Sequence, residues 1–133
     1  MFKKILLPVD GTEHSEKTIQ CVKDIAKKCN STVVIFHSYS SNPLYTMDME
    51  EKLRQYSFAI VDKVVAELSN DDISVKSKIM KGHAGQLIID LAKEENCDLI
   101  VMGKHDNNEI KNFLIGSVSN FVIHNSKIPI FLV

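Results

Sequence analysis

The residues best suited to chemistry lie near two glycines in the last third of the chain. Gly103 follows an apolar run over Leu99–Val101, and Gly116 is followed by Ser117 at the start of a helical pattern. A glycine lets the backbone approach a ligand because it has no Cβ, and the first amides of a helix point outward at the positive end of its dipole. Ser117 is also a good N-cap, and its hydroxyl can satisfy a free amide or bond a phosphate oxygen. These residue types in this order are typical of an anion site.

A carboxylate follows the first apolar run of the chain, where Asp10 succeeds Lys3–Val9. At the end of a strand it can hold a ribose hydroxyl or a metal ion on a triphosphate. A Gly-Ser helix start is weak evidence by itself, since a glycine before a helix is often only part of a turn. From these residues alone, a phosphate site and a plain turn both stay open.

Alternating strand and helix patterns surround these residues. Short apolar runs rich in β-branched residues predict strands, and apolar residues at three- and four-residue spacing predict helices. The predicted strands are Lys3–Val9, Thr32–Phe36, Val75–Met80, Asp98–Gly103 and Ile128–Val133, and the predicted helices are Thr12–Lys28, Asp48–Leu68, Gly85–Glu95 and Ser117–Asn125. A helix between each pair of strands favours a parallel sheet with helices on both faces.

The positions of the two candidate loops follow from this pattern. In open parallel sheets, ligands bind beyond the carboxyl ends of the strands, where the strand order reverses. Asp10 and Gly103 each follow a strand. We therefore expect the first and fourth strands to be neighbours, with both loops facing one crevice.

Length and composition exclude several classes of protein. The chain has 133 residues, near the commonest size of one domain, so we expect a single domain over 1–133. A net charge of -1 gives no global field toward nucleic acid or an anionic membrane. No secretory segment and no apolar run of about eighteen residues is visible. Three cysteines without a CxxC pair predict reduced, mostly buried thiols in a cytosolic protein.

The sequence makes no positive case for a strong catalyst. Its five histidines show no metal-ligand spacing, so we expect no metal held by protein ligands alone. His37 and His83 both follow strands, and we expect them to be hydrogen-bonded turn residues. There is no P-loop and no Gly-x-Ser-x-Gly nucleophile. If a nucleotide binds, slow hydrolysis or none is the expectation.

The chain resembles the universal stress protein family over almost its whole length. The family's nucleotide-binding signature is G-x2-G-x9-G-[ST] after a strand, which Gly103 and Gly116-Ser117 match. The other similar segments, in chain order, are Lys3–Thr12, Val34–His37, Gly82–Ala84, Cys97–Gly103 and Pro129–Val133. Segments in the right order are more specific than any one of them. We predict an open five-stranded parallel α/β sheet in the order 3-2-1-4-5, which is Rossmann-like and adenine nucleotide alpha hydrolase-like.

The resemblance implies a small cytoplasmic stress-response protein that binds ATP, with Mg²⁺ or Mn²⁺, as a regulatory module. It also implies roles for individual positions. Adenine and ribose would lie against Pro8, Val9, Asp10 and Ser38 (just past the second strand), the base-to-phosphate side against Met102 and Gly103, and phosphate against His105, Gly116, Ser117, Val118 and Ser119.

Asp106 departs from the signature, which has its second glycine there. A Cβ intrudes where the backbone can require a positive φ, although Asp tolerates this better than most residues. Its carboxylate also faces a polyphosphate, and two unit charges about 4 Å apart repel by about 1 kcal/mol in water and about 4 kcal/mol at an intermediate dielectric. Lys104, His105 or a bound Mg²⁺ would offset part of this, and Asp106 would alternatively help to hold the metal. A nucleotide-free dimeric interaction protein is therefore the alternative function.

The last predicted strand, Ile128–Val133, has no charged residue after Lys127. A bare apolar edge strand invites pairing with another chain. The family resemblance implies a homodimer in which this strand pairs antiparallel with its copy across a two-fold axis. The alternative is a short edge strand packed under its own helix.

Overall fold

In the ranges that the structure describes, five strands alternate with four helices. The computed structural model describes residues 1–11, 13–103 and 116–133, with the backbone alone for residues 13–15. The elements are β1 (Lys4–Pro8), α1 (Glu13–Cys29), β2 (Thr32–Tyr39), α2 (Met47–Asn70), β3 (Ser74–Lys81), α3 (Ala84–Glu94), β4 (Leu99–Met102), α4 (Ser117–Asn125) and β5 (Ile130–Leu132).

The strands form one parallel sheet in the order β3-β2-β1-β4-β5. Leu6, in the middle of β1, lies beside Val34 of β2 on one side and Ile100 of β4 on the other. The predicted fold class and strand order are therefore confirmed.

Both faces of the sheet are covered by helices, as the helix between each pair of strands predicted. On one face, Leu7, Ile35 and Val101 pack with side chains of α1 and α2. On the other, Leu6 and Ile100 pack with side chains of α3 and α4. Successive residues of a strand point to opposite faces. Once one residue of a strand is assigned to a face, the faces of the remaining residues of that strand follow.

Short turns with left-handed residues lead from three of the helices into the next strand. Asn30, Asp72 and Asn96 have φ values of 54°, 59° and 55°, and they follow α1, α2 and α3. Asn and Asp tolerate this conformation better than other non-glycine residues. The strands β2, β3 and β4 therefore start at fixed positions along the sheet.

The buried residues of helix α2 begin at Ser57. Its buried residues are Ser57, Val61, Val64 and Leu68. The apolar spacing of the helix also predicts that Phe58 faces the core, and this is wrong: its side chain is 44% exposed, and the centroid of its ring lies 5.4 Å from the guanidinium carbon of Arg54. Ser57 takes the buried position because its hydroxyl donates to the Leu53 carbonyl at 3.0 Å.

Among the described residues, no helix is long and apolar enough to cross a membrane.

Candidate functional site

The carboxyl ends of β1 and β4 lie side by side, as the chain order predicted. β1 pairs with both β2 and β4, and it is between β1 and β4 that the strand order reverses. This reversal is the position at which open α/β sheets bind ligands. The sequence-predicted residues of the first and fourth strands therefore reach one edge of the sheet.

Three of the predicted site residues lie on the face of the sheet that α4 covers. Pro8 pairs with Phe36, which is buried against α3 and α4, and Ser38 lies two residues further along the same strand. Met102 is buried in the same layer. Ser38 is not past β2, as predicted, but within it, because the strand continues to Tyr39 alongside β3, where Ser38 pairs with Met80.

A tight turn follows β1 and presents Asp10 at the sheet edge. The amide of Val9 donates to the Phe36 carbonyl at 2.8 Å, which holds the turn against β2. Asp10 is exposed, and Gly11 has a φ of +83°, a conformation that L side chains rarely adopt. A Cβ on Gly11 would also lie 3.1 Å from the Ile60 side chain of α2. Glycine is therefore required to place Asp10 where it is.

Helix α4 begins with a residue that has no side chain to cap it. Gly116 is the N-cap, with φ -59° and ψ 156°, and its carbonyl accepts from the Asn120 amide at 2.9 Å. The prediction that Ser117 is the N-cap is wrong, because Ser117 is already the first helical residue. Ser117 and Val118 are exposed, and the first turn holds no acidic residue. The backbone amides of this turn therefore suit an external anion.

One hydrogen bond joins the start of α4 to the end of β4. The hydroxyl of Ser119 donates to the carbonyl of Gly103 at 2.7 Å, across 16 residues of chain. Ser119 is 5% exposed. The preceding carbonyl, that of Met102, accepts from the Val133 amide at 3.0 Å. The exit of β4 is therefore held from both sides, by α4 and by the strand at the end of the sheet.

His37 is a residue at this edge that sequence reasoning placed wrongly. It lies within β2, and among the described residues its buried Nδ1 has no hydrogen-bond partner. Burial lowers the pKa of His37, and the nearby Asp10 carboxylate opposes that shift. Strand alternation from Ile35 was the available signal, since it directs His37 to the face of α1 and α2. The expectation is confirmed for His83, whose Nδ1 accepts from the Gln86 amide at 3.2 Å as the N-cap of α3.

The structure thus brings most of the predicted residues to one sheet edge. Pro8, Ser38 and Met102 share a face, and the turn at Asp10 and the start of α4 flank it. The predicted residues His105 and Asp106 lie outside the described residues. In the part of the chain that the structure describes, no three His, Cys, Asp or Glu side chains group closely enough to hold a metal ion.

The chain is similar to known proteins of the universal stress protein family. The model of the Universal stress protein family matches residues 1–133. Universal stress protein MJ0577 of Methanocaldococcus jannaschii is 26% identical over 154 residues, covering 100% of this chain and 95% of the relative. The solved structure of MJ0577 has a TM-score of 0.91, covering 100% of this chain and 96% of that one at 28% identity.

Two further solved structures share the fold and hold adenine nucleotides. A universal stress protein in complex with cAMP has a TM-score of 0.78 at 20% identity, covering 98% of this chain and 96% of that one. The universal stress protein of Archaeoglobus fulgidus in complex with dAMP has a TM-score of 0.75 at 18% identity, covering 99% and 98%. Since the family model matches the chain from end to end, this protein belongs to the universal stress protein family.

Proposed function

We propose that this chain is a single-domain, cytoplasmic stress-response protein that binds an adenine nucleotide, ATP foremost, as a regulatory ligand and catalyses little or no turnover. The observation that carries the proposal is the start of α4. A glycine N-cap without a side chain leaves the first-turn amides to an external anion, and the bond from Ser119 to Gly103 holds that turn beside the end of β4.

In this proposal the nucleotide lies across the reversal of the strand order. Its nucleoside end contacts the face formed by Pro8 and Ser38, and the turn at Asp10 takes the ribose hydroxyls. The predicted contacts are Pro8, Val9, Asp10 and Ser38 for the nucleoside, Met102 and Gly103 for the junction with the phosphates, and His105, Asp106, Gly116, Ser117, Val118 and Ser119 for the phosphates or their Mg²⁺ or Mn²⁺. The exposed hydroxyl and amides at Ser117 and Val118 support the phosphate end.

The solved relatives support the choice of an adenine nucleotide. Their complexes with cAMP and dAMP show that this fold can hold an adenine base with a single phosphate group.

Binding of ATP to the purified protein tests the proposal directly. A ligand present at a hundred times its Kd stabilises the folded state by about 2.7 kcal/mol, which raises Tm by several degrees in a domain of this size. We expect this shift with millimolar ATP and Mg²⁺, or nucleotide that co-purifies with the protein. Absence of both would refute the proposal.

Asp106→Gly separates the proposed function from its alternative, because it restores the second glycine of the signature. We expect wild-type protein to bind ATP and the variant to bind it more tightly. Asp72→Gly is the matched control: it makes the same change at a left-handed turn before β3, at the other end of the sheet. Binding that appears only in Asp106→Gly would mean that the native site is vestigial and that the protein acts without nucleotide.

Turnover is tested separately with Asp10→Ala. We expect wild-type protein to release phosphate from ATP very slowly or not at all. A weak ATPase would lose its turnover in this variant, whereas turnover that survives the change would come from a contaminant.

A second candidate function is a dimeric interaction protein, and the outer strand β5 favours it. β5 ends the sheet order, and Phe131 and Leu132 on it are 43% and 36% exposed. We propose that residues 128–133 pair antiparallel with a second copy across a two-fold axis.

Sedimentation equilibrium of Phe131→Lys tests this dimer. We expect a dimer for wild-type protein and a monomer for the variant, because the lysine places a charge in the pairing surface. Phe58→Lys is the matched control, since Phe58 is equally exposed, at 44%, but lies on α2. A monomeric wild-type protein, or equal effects of the two variants, would contradict the interface.

A further inference from the structure

The two serines at the start of α4 differ in what their hydroxyls can do. Ser117 is exposed, and within the described residues its hydroxyl has no hydrogen-bond partner. Ser119 is 5% exposed, and its hydroxyl donates to the Gly103 carbonyl. A serine hydroxyl carries one proton, so it donates one hydrogen bond at a time. A phosphate oxygen needs a donor, and the Ser119 hydroxyl has none to give while the bond to Gly103 exists.

We propose that Ser119 is a positioning residue, which fixes the phosphate side of the crevice against the nucleoside side through Gly103, while Ser117 carries the hydroxyl that bonds phosphate. This inference rests on the proposed function and assigns the two serines different roles within that site. Any contact of Ser119 with phosphate is then made by its backbone amide, in the first turn of α4.

The position of the bond gives it this role. Gly103 is the residue after β4, and the Met102 carbonyl before it is already held by the Val133 amide. The Ser119 hydroxyl is the link, among the side chains described, from this exit to the first turn of α4. Without this hydrogen bond, the distance between the first-turn amides and the backbone of Gly103 is no longer fixed. A ligand that contacts both must then restore that distance when it binds.

Three variants distinguish positioning from direct contact: Ser119→Ala, Ser119→Thr and Ser117→Ala. A neutral hydrogen bond contributes about 0.5–1.5 kcal/mol, which corresponds to a roughly twofold to tenfold change in Kd. We expect Ser119→Ala to weaken ATP binding by this factor. Ser119→Thr should restore the affinity, since Thr keeps the hydroxyl. If the extra methyl group of Thr does not fit, Ser119→Cys takes its place. The thiol is a weaker donor than the hydroxyl, so we expect an ATP affinity between those of Ser119→Ala and wild-type protein. Ser117→Ala should lower the affinity for ATP but leave the affinity for adenosine unchanged.

The bond itself is followed by the carbonyl carbon resonance of Gly103 in ligand-free protein, measured by NMR, and ATP affinity then shows whether the bond also serves the ligand. We expect Ser119→Ala to shift it, Ser119→Thr to keep it near the wild-type value, and Ser117→Ala to leave it unchanged. An unchanged Gly103 resonance in Ser119→Ala would overturn the inference, as would full ATP affinity in that variant well below its Tm. If wild-type protein binds neither ATP nor adenosine, the proposed function fails and the ligand role of Ser119 fails with it. A shifted resonance in that case would leave only a structural bond.

Discussion

The contact between α3 and α4 makes a sharp prediction about one glycine. Gly85 is buried on α3, and a Cβ added there would lie 2.6 Å from Cδ1 and 3.0 Å from Cγ of Phe121 on α4. These ring atoms are close to the Phe121 backbone, so a small rotation does not move them away. The other edge of the space is closed by His83, whose ring centroid lies 5.3 Å from that of Phe121 in a T-shaped contact. Gly85→Ala therefore forces the two helices or the ring to shift.

The size of the effect follows from two opposing contributions. Overpacking a well-packed contact costs about 1–3 kcal/mol, and replacing glycine by alanine in a helix gains at most about 1 kcal/mol. We expect Gly85→Ala to lower the free energy of unfolding by about 1–2 kcal/mol. Urea unfolding followed by circular dichroism measures this difference.

A double-mutant cycle with Phe121→Ala identifies the cause. Once the ring is gone, the remaining close neighbour of the added methyl group is Cε1 of His83, at 3.2 Å. We therefore expect Gly85→Ala to be close to neutral in that background. The coupling energy between the two sites should then be about 1–3 kcal/mol. An equal cost of Gly85→Ala in both backgrounds would refute the reasoning, because the strain would then come from elsewhere than Phe121.

Three further predictions concern the opposite end of the sheet. Hydrogen bonds from Lys76 and Lys4, the first the larger cause, lower the pKa of Glu95. The stability that the charged carboxylate contributes is therefore present above about pH 4.5 and is lost as the pH falls below that value. In urea titrations at a series of pH values, Glu95→Gln should lose less free energy of unfolding on acidification than wild-type protein does. Burial raises the pKa of Cys97 to about 11, so in native protein at pH 8 a thiol reagent should label it more slowly than half-buried Cys29, as mass spectrometry of digests would show. The Asp98 carboxylate accepts hydrogen bonds from the backbone amides of Lys3, just before β1, and Lys4, at its start, at 2.9 and 3.0 Å. Asp98→Asn should therefore lower the free energy of unfolding by about 1–3 kcal/mol in urea, and a loss below about 0.5 kcal/mol would contradict that role.

The fold was predictable because its signals are local and repeated. Each β-branched run and each helical period fixes one element, and a helix between each pair of strands leaves a parallel sheet as the natural arrangement. The limits appear where tertiary contacts decide. Phe58 fits the apolar period of α2 yet lies exposed, because the buried side of that helix runs through Ser57, Val61, Val64 and Leu68 and Phe58 lies beside it. The apolar period predicts the helix, but it does not decide which of two adjacent residues, here Ser57 and Phe58, takes the buried position.

The candidate site was predictable in its parts and less so in its bonding. The turn at Asp10 and the glycines at 103 and 116 were identified from residue types and from the family resemblance. That Gly116 rather than Ser117 is the N-cap depends on one residue's backbone angles, and helix ends are uncertain by a residue or two in any sequence pattern. The bond from Ser119 to Gly103 joins residues 16 positions apart, and no local pattern encodes it.

The register of the sheet keeps the two proposed functions experimentally separate. Phe131 pairs with Val101, which is buried on the face of α1 and α2, and its ring lies 6.1 Å from that of Phe2. The proposed nucleotide contacts at Pro8, Ser38 and Met102 address the opposite face, the one that α4 covers. A substitution at Phe131 therefore alters the edge of β5 without adding a group to the crevice. Loss of ATP binding in a monomeric Phe131→Lys protein would mean that the dimer supports the site through the backbone just after β5, where the Val133 amide donates to the Met102 carbonyl.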